Sequence, residues 1–169
     1  AGMDELEADT LRRIQLLVPQ DSNIPALCGL LQQAWQSTLA ISVNIEEVTR
    51  DELFSRLSRG DYQAALIPLT ASANTPADIL GRFTSSSASN VTAYQNPEFD
   101  AMLTSAAISH DRAQILRQYS AAESMLMDDA VLYPLLVETS YFVLGKDVTG
   151  IDFYPYGGKV IFRDALALR

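Results

Sequence analysis

The first half of the chain alternates between short apolar runs and longer segments with helical periodicity. Residues 13–18 form an apolar run that ends at Pro19, which predicts a buried strand. A helix is predicted from the cap candidates at 21–23 to about Leu39. Residues 42–48 alternate between polar and apolar side chains, and this pattern predicts a half-buried strand. The chain is therefore expected to begin in the order strand, helix, strand.

A second helix and a third strand continue the same order. Thr49 or Asp51 can cap a short helix, and Gly60 supplies its C-terminal stop. Residues 62–69 are a continuous apolar run, which predicts a central strand covered on both faces. Strands that alternate with helices favour right-handed crossovers and a largely parallel sheet. The predicted fold class is α/β, a three-layer sandwich with a mostly parallel or mixed sheet.

The second half of the chain predicts more helix than strand. A polar stretch of small residues, 70–75, follows the predicted central strand. The elements expected after it are a short helix over 76–83, an exposed loop over 84–92, helices over 97–108 and 111–128, and strands over 131–137 and 140–144. Turn residues at Gly150 and Gly157-Gly158 mark a C-terminal tail, which the pattern does not assign to strand or helix.

Composition and charge exclude two classes of partner. The 169 residues carry a net charge of -9, and the 12 Lys and Arg are scattered, so no nucleic acid is expected to bind this domain. No segment approaches the roughly 20 apolar residues of a membrane span. We expect a single α/β domain over 13–169, preceded over 1–12 by a cloning scar and an acidic linker.

The residue types that catalysis and metal binding require are scarce. Cys28 lies in an apolar stretch and is predicted to be a buried structural thiol. His110 is flanked by helix-start residues, where a capping or solvent role is expected. One cysteine and one histidine far apart in sequence disfavour a metal site and a Cys–His nucleophile pair. With no GxSxG, P-loop or GxGxxG motif either, we expect no enzyme activity, catalytic residue, metal or cofactor.

The segment around Asn96 carries the clearest local signal in the chain. Asn96 before Pro97 is typical of an N-cap followed by proline at the first helical position. Glu98 and Asp100 add negative charge in the first turn, where the helix dipole favours it. Phe99 lies three and four residues before Met102 and Leu103, so the helix has one apolar stripe.

This Asn-Pro-Glu-Phe-Asp string resembles an element of the family 5 extracytoplasmic solute-binding proteins, the peptide- and nickel-binding receptors of ABC importers. Other segments resemble further family elements in the same order: Leu57–Tyr62, Pro68–Leu80, Arg117–Leu126 and Ala130–Leu135. The resemblance covers about Arg13 to Glu138. It implies one lobe, the second, of the type II periplasmic-binding-protein fold. The first lobe, a signal peptide and a lipid-anchoring cysteine are then expected outside this chain.

Two arguments place the candidate site in one loop. Ligands of open α/β sheets bind beyond the carboxyl ends of the strands, so 70–75 is the cleft candidate by physics alone. The resemblance implies the same loop and, in addition, Arg50, which replaces an aromatic residue frequent in the family. The candidate ligand-binding residues are Leu69, Thr70, Ala71, Ser72, Asn74 and Arg50.

The residues in this loop depart from the oligopeptide-binding pattern. The resemblance implies an aspartate at Ser72, which would pair with a ligand's amino terminus, and a tryptophan at Leu69. A serine hydroxyl cannot form a charge-assisted pair with an ammonium group. A peptide bound through backbone contacts, another small solute, and loss of binding therefore all stay open. Solvation and turn formation are the simpler interpretation of Ser72 and Asn74.

The resemblance implies a solute-binding domain of an ABC importer that closes by hinge motion around a peptide or another small solute. Its expected partners are the first lobe and the permease subunits, and its expected location is extracytoplasmic, periplasmic or as a cell-surface lipoprotein. An alternative is the carboxyl-terminal solute-sensing domain of a cytoplasmic transcription regulator with the same fold. A scaffold domain that no longer binds solute is a third interpretation.

Overall fold

The computed structural model describes residues 13–20, 24–137, 139, 141–154, 156 and 159–167. These fall into two units, which divide between Pro68 and Leu69 and are called the N-terminal and the C-terminal unit. The linker expected over 1–12 and the helix caps expected at 21–23 lie outside the described residues.

Three parallel strands form the sheet of the N-terminal unit. They are β1 (Arg13–Pro19), β2 (Ser42–Val48) and β3 (Ala64–Ala65), in the order β2-β1-β3. Helix α1 (Ile24–Leu39) connects β1 to β2, and helix α2 (Arg50–Arg59) connects β2 to β3. The predicted parallel sheet and both predicted helices are confirmed.

Each face of this sheet is buried. Leu16 and Val18 of β1 pack with Cys28 of α1 and Val43 of β2 in one apolar cluster. Because side chains of a strand alternate between faces, Leu17 points the other way, and it is also fully buried. Helix α2 packs against β1 and buries Leu53 and Leu57, which are 1% and 3% exposed. The predicted layers of helix, sheet and helix are therefore confirmed.

The prediction of a central strand over 62–69 is wrong. Only Ala64–Ala65 forms a strand, and it lies at the edge of the sheet, while β1 is central. Its pairing with β1 is limited to Leu16↔Ala64 and Leu17↔Ala65, and it ends after Leu66 donates its N–H to the Leu17 carbonyl at 2.8 Å. An apolar run predicts that a segment is buried. A strand also requires a neighbouring strand along its whole length, which pairs with its backbone N–H and C=O groups.

The core of the C-terminal unit is built from helices. They are α3 (Ala77–Leu80), which continues as a 3₁₀ turn over Gly81–Phe83, α4 (Pro97–Ile108) and α5 (Arg112–Asp128). These are the predicted helices within a residue or two. Their shared core contains the buried side chains of Leu80, Phe83, Phe99, Leu103, Ala122 and Leu126. Irregular backbone over 84–92 matches the predicted loop.

The strands predicted over 131–137 and 140–144 are absent from the described residues of those ranges. Val131 and Leu132 pack against the helical core, whereas the described side chains over 133–144 are exposed, with Val137 at 92%, Tyr141 at 87% and Val143 at 96%. Short antiparallel pairs form later in the chain: β4 (Val148–Thr149) with β7 (Leu166–Ala167), and β5 (Asp152–Tyr154) with β6 (Lys159–Ile161). The prediction of two strands is therefore wrong for the described residues, since an apolar pattern alone does not supply the neighbouring strand that a ladder needs.

Candidate functional site

The site loop, residues 69–75, begins the C-terminal unit and leads into α3. Leu69 is half-buried and packs against the core of this unit, which fixes the start of the loop. The loop is exposed from Ser72 to Thr75. Its far end is held by the Asp78 N–H, which donates to the Thr75 carbonyl at 3.1 Å. Five of the six predicted ligand-binding residues, Leu69, Thr70, Ala71, Ser72 and Asn74, therefore share one loop.

A carboxylate that sequence reasoning missed holds the middle of the site loop. Asp78, in the first turn of α3, lies six residues after Ser72 and accepts two hydrogen bonds from it. The Ser72 N–H donates to Asp78 Oδ2 at 2.7 Å, and the Ser72 hydroxyl donates to Asp78 Oδ1 at 2.9 Å. Both oxygens of the carboxylate are therefore bonded to the residue that was predicted to face the ligand.

An arginine holds the start of the same loop. Arg82 Nη2 donates to the Thr70 carbonyl at 2.7 Å, and Arg82 Nε donates to the Asp78 carbonyl at 3.1 Å. Arg82 Nη2 also lies 3.4 Å from Asp78 Oδ2, so the two side chains form an ion pair one helical turn apart. The sequence signal that could have found this pair is the opposite charge at i and i+4 directly after the loop.

The hydrogen bonds from Ser72 lower the pKa of Asp78 below its ordinary value. The backbone N–H of Ser72 has the largest effect and its hydroxyl the next, while the positive charge of Arg82 adds to both. Asp78 is therefore an anion at neutral pH. The site loop is held by a charged carboxylate and a charged guanidinium that face each other.

The sixth predicted residue lies in the other unit. Arg50 is the first residue of α2 and is exposed. The hydroxyl of Thr49 caps this helix by accepting from the Glu52 N–H at 3.2 Å, and Gly60 ends it with a φ of 68°. Both caps agree with the sequence prediction, and the Thr49 cap places Arg50 in the first turn of α2.

A concave surface lies at the amino ends of the strands in the N-terminal unit. It is a shallow depression of about 380 Å³ in the N-terminal unit, where β1 and β2 begin, and it is lined by Arg13, Ile14, Gln15, Ser42, Asn44 and Gln63. Ligands of open α/β sheets bind at the carboxyl ends of the strands. This depression therefore does not lie at the strand ends where a ligand is expected.

The described residues contain neither a membrane-spanning helix nor a metal-binding cluster. None of their helices has the length and hydropathy that crossing a membrane requires. Within the same part of the chain, no three or more His, Cys, Asp or Glu side chains gather in a way that could hold a metal ion.

No family model matches this chain. Among curated proteins, it is similar to the oligopeptide-binding protein OppA of Bacillus subtilis (strain 168), with 24% identity over 168 residues, 97% of this chain and 31% of that protein. It is also similar to the glutathione-binding protein GsiB of Escherichia coli (strain K12), with 32% identity over 108 residues, 64% of this chain and 19% of that protein. The chain thus spans about a third or less of these relatives.

Solved structures show the same fold over nearly the whole chain. Listeria monocytogenes OppA bound to peptide matches with a TM-score of 0.82 and 18% identity, over 99% of this chain and 32% of that one. The pheromone receptor PrgZ matches with a TM-score of 0.81 and 18% identity, over 99% of this chain and 32% of that one. The curated relatives are named as binding proteins, which confirms the resemblance seen in the sequence.

Proposed function

Because this chain is a relative of the family 5 solute-binding proteins along nearly its whole length, we propose that it forms the second lobe of such a receptor in an ABC importer. The observation that carries the proposal is the match of 97% of this chain to 31% of an oligopeptide-binding protein. A similar proportion, 99% to 32%, matches in the fold of a peptide-bound relative. A share of about a third is small enough to fit within one lobe of a two-lobed receptor.

The site loop is proposed to form one wall of the cleft for a peptide or another small solute. Leu69, Thr70, Ala71, Ser72 and Asn74 would contact the solute, and their order supports this role because the loop follows the last strand of the parallel sheet. Its anchoring by Asp78 and Arg82 also supports the role, since a preorganised wall loses little entropy when a ligand binds. Arg50 is proposed as a further contact in the closed receptor.

The first lobe is proposed as the partner of an apolar strip in the C-terminal unit. The strip consists of residues 133–137 and 141–144, and its described apolar side chains, among them Leu136 at 58% and Val143 at 96%, are exposed. Exposed apolar surface of this extent marks an interface. The described residues of the strip belong to no strand, and a segment of this kind also suits pairing with strands of another lobe. Hinge closure of the two lobes around the solute and docking on the permease would then follow.

An extracytoplasmic location belongs to the same proposal. Two further relatives, the probable D,D-dipeptide-binding protein DdpA and the murein peptide-binding protein MppA of Escherichia coli (strain K12), are named as periplasmic. Their similarity to this chain supports that side of the membrane for the full-length receptor.

The solute role can be tested on this chain by NMR titration. A lone lobe offers half of a cleft, so binding in the millimolar range is expected, and isotope-labelled protein should be titrated with short peptides, amino acids and sugars. The expected result is a saturable shift of the Ser72 to Thr75 amide signals with one solute class. Asn74→Ala should weaken it, and Ser86→Ala in the exposed loop over 84–92 is the matched control. Shifts confined to other regions, or none at all, would contradict the proposal.

The partner role can be tested with the first lobe expressed as a separate chain. Complex formation with this chain should be measurable by analytical ultracentrifugation, and Val143→Lys should abolish it. Leu116→Lys is the matched control, because Leu116 is 55% exposed on α5 outside the strip. Equal loss of binding in both variants would refute the role of the strip.

A further inference from the structure

The site loop has no charged side chain of its own. Residues 69–75 read Leu, Thr, Ala, Ser, Ala, Asn and Thr, so their functional groups are hydroxyls, one carboxamide and the backbone. Charge reaches the loop only through its recorded bonds to Asp78 and Arg82. The chemistry that the loop offers a solute therefore depends on whether those two charges are available.

Both charges are already engaged with the loop and with each other. Each oxygen of the Asp78 carboxylate accepts a hydrogen bond from Ser72, and Oδ2 also faces Arg82 Nη2 at 3.4 Å. Arg82 in turn donates to the Thr70 carbonyl through the same Nη2 and to the Asp78 carbonyl through Nε. The side chains are largely covered, with 20% of Asp78 and 30% of Arg82 exposed.

A charged group of a solute would have to break this arrangement. An ammonium group would compete for Asp78 with Arg82 and with the two donors of Ser72, which already bond its two oxygens at 2.7 and 2.9 Å. A carboxylate would compete with the Thr70 carbonyl and Asp78 for Arg82 Nη2, and it would meet the negative charge of Asp78 beside it. Uncharged amides meet no such cost, because exposed hydroxyl and carboxamide groups can donate to them and accept from them.

On the basis of the proposed function, we propose that the part of the solute seated on the site loop is uncharged. The chemical class that fits is the interior amide segment of a peptide, rather than its charged amino or carboxyl end. Asp78 and Arg82 are then positioning residues, which set the shape of the wall and cancel each other's charge. The specificity of the loop comes from the absence of a free charge.

The test compares one short alanine peptide in four forms, with free ends, N-acetylated, C-amidated, and blocked at both ends. Dissociation constants are measured by titration of the Ser72 and Asn74 amide signals of this chain. The expected result is that blocking either end leaves the affinity unchanged or improves it. A free-ended peptide that binds about tenfold more tightly than its acetylated or amidated form would overturn the proposal. This comparison needs no variant protein.

Two variants should create opposite end preferences by exposing one charge of the pair. Arg82→Gln leaves Asp78 uncompensated and should make the free amino end bind up to about fivefold more tightly than the acetylated end. Asp78→Asn leaves Arg82 uncompensated and should favour the free carboxyl end by a similar factor. Asp100→Asn is the matched control, because Asp100 accepts the Ser85 N–H at 3.0 Å in a different loop. Variants without any end preference would contradict the charge-cancelling role.

The outcomes separate this proposal from the one it rests on. If peptides shift the site loop but prefer a free end in the unaltered chain, the uncharged-segment proposal is wrong and the solute-binding role stands. If no form shifts the loop in the unaltered chain or in either variant, the solute-binding role of the loop is wrong and this proposal falls with it.

Discussion

Replacement of Asn96 by alanine tests how the most informative sequence segment stabilises the fold. The Asn96 carboxamide oxygen accepts from the N–H groups of Glu98 at 3.0 Å and Phe99 at 3.3 Å, and so caps α4. Its Nδ2 donates to the Tyr94 hydroxyl at 2.9 Å, and that hydroxyl donates to Asp129 Oδ2 at 2.6 Å. One side chain therefore caps α4 and also links it to the end of α5.

The expected loss of stability is the sum of these two roles. Removal of an N-cap side chain costs about 1 kcal/mol. Loss of the hydrogen bond from Asn96 Nδ2 to the Tyr94 hydroxyl costs about 1 kcal/mol more. The free energy of unfolding should therefore fall by about 2 kcal/mol in Asn96→Ala. For a chain of this length, that corresponds to a decrease in Tm of about 4 to 8 °C.

Urea unfolding followed by circular dichroism measures this loss, with two variants that separate the roles. Asn96→Ser keeps a capping oxygen but is too short to reach Tyr94, so it should lose about 1 kcal/mol. Asp111→Ala removes the N-cap of α5, where the Asp111 side chain accepts from the Ala113 N–H at 2.9 Å. This variant has a capping role alone to lose, so its free energy of unfolding should also fall by about 1 kcal/mol. If Asn96→Ala is no less stable than Asp111→Ala, the link to Tyr94 contributes nothing and the reasoning is refuted.

Three further predictions follow from backbone, core and charge. Gly150→Ala should strongly lower the stability measured by thermal unfolding, since φ is 72° and a Cβ would lie 1.9 Å from the Asp164 carbonyl oxygen. Gly29→Ala is the matched variant in open space, and its free energy of unfolding should rise by up to about 1 kcal/mol. Phe99→Ala should cost about 3 to 5 kcal/mol in urea unfolding, because Phe99 is fully buried, and a loss below about 1 kcal/mol would contradict this core assignment. Because the pKa of Asp78 is lower in the folded chain, its ionised carboxylate stabilises the fold above about pH 4, and this stabilisation should be lost as the pH falls through the folded-state pKa. The NMR signal of the Ser72 amide should report the titration of Asp78. A midpoint at the ordinary aspartate value would contradict the prediction.

The candidate site shows how far sequence reasoning reached. The loop could be predicted from the sequence because it directly follows an apolar run along the chain. Leu69 to Asn74 do lie in one loop. The bonds from Ser72 to Asp78 were not predicted, because six residues of irregular backbone separate them and no local pattern specifies how a loop turns back. The Ser72 hydroxyl, which was predicted to contact a ligand or solvent, already donates to a carboxylate.

The sequence alone determined the features that depend on neighbouring residues. Thr49, Gly60 and Asn96 cap their helices as predicted, because a cap needs only the side chain and the N–H or carbonyl groups of the next turn. The parallel order of the first strands also followed from the alternation of strand and helix.

Only the tertiary structure decided which apolar segments become strands. Residues 62–69 and 131–144 have strand-forming composition, yet the first yields Ala64–Ala65 and the described part of the second yields no strand. The physical reason is that a helix satisfies its backbone hydrogen bonds within its own segment, whereas a strand needs a partner that may be far away in the chain. The side-chain pattern shows which segments favour the strand conformation. Whether such a segment forms a strand depends on a neighbouring strand with which it can pair.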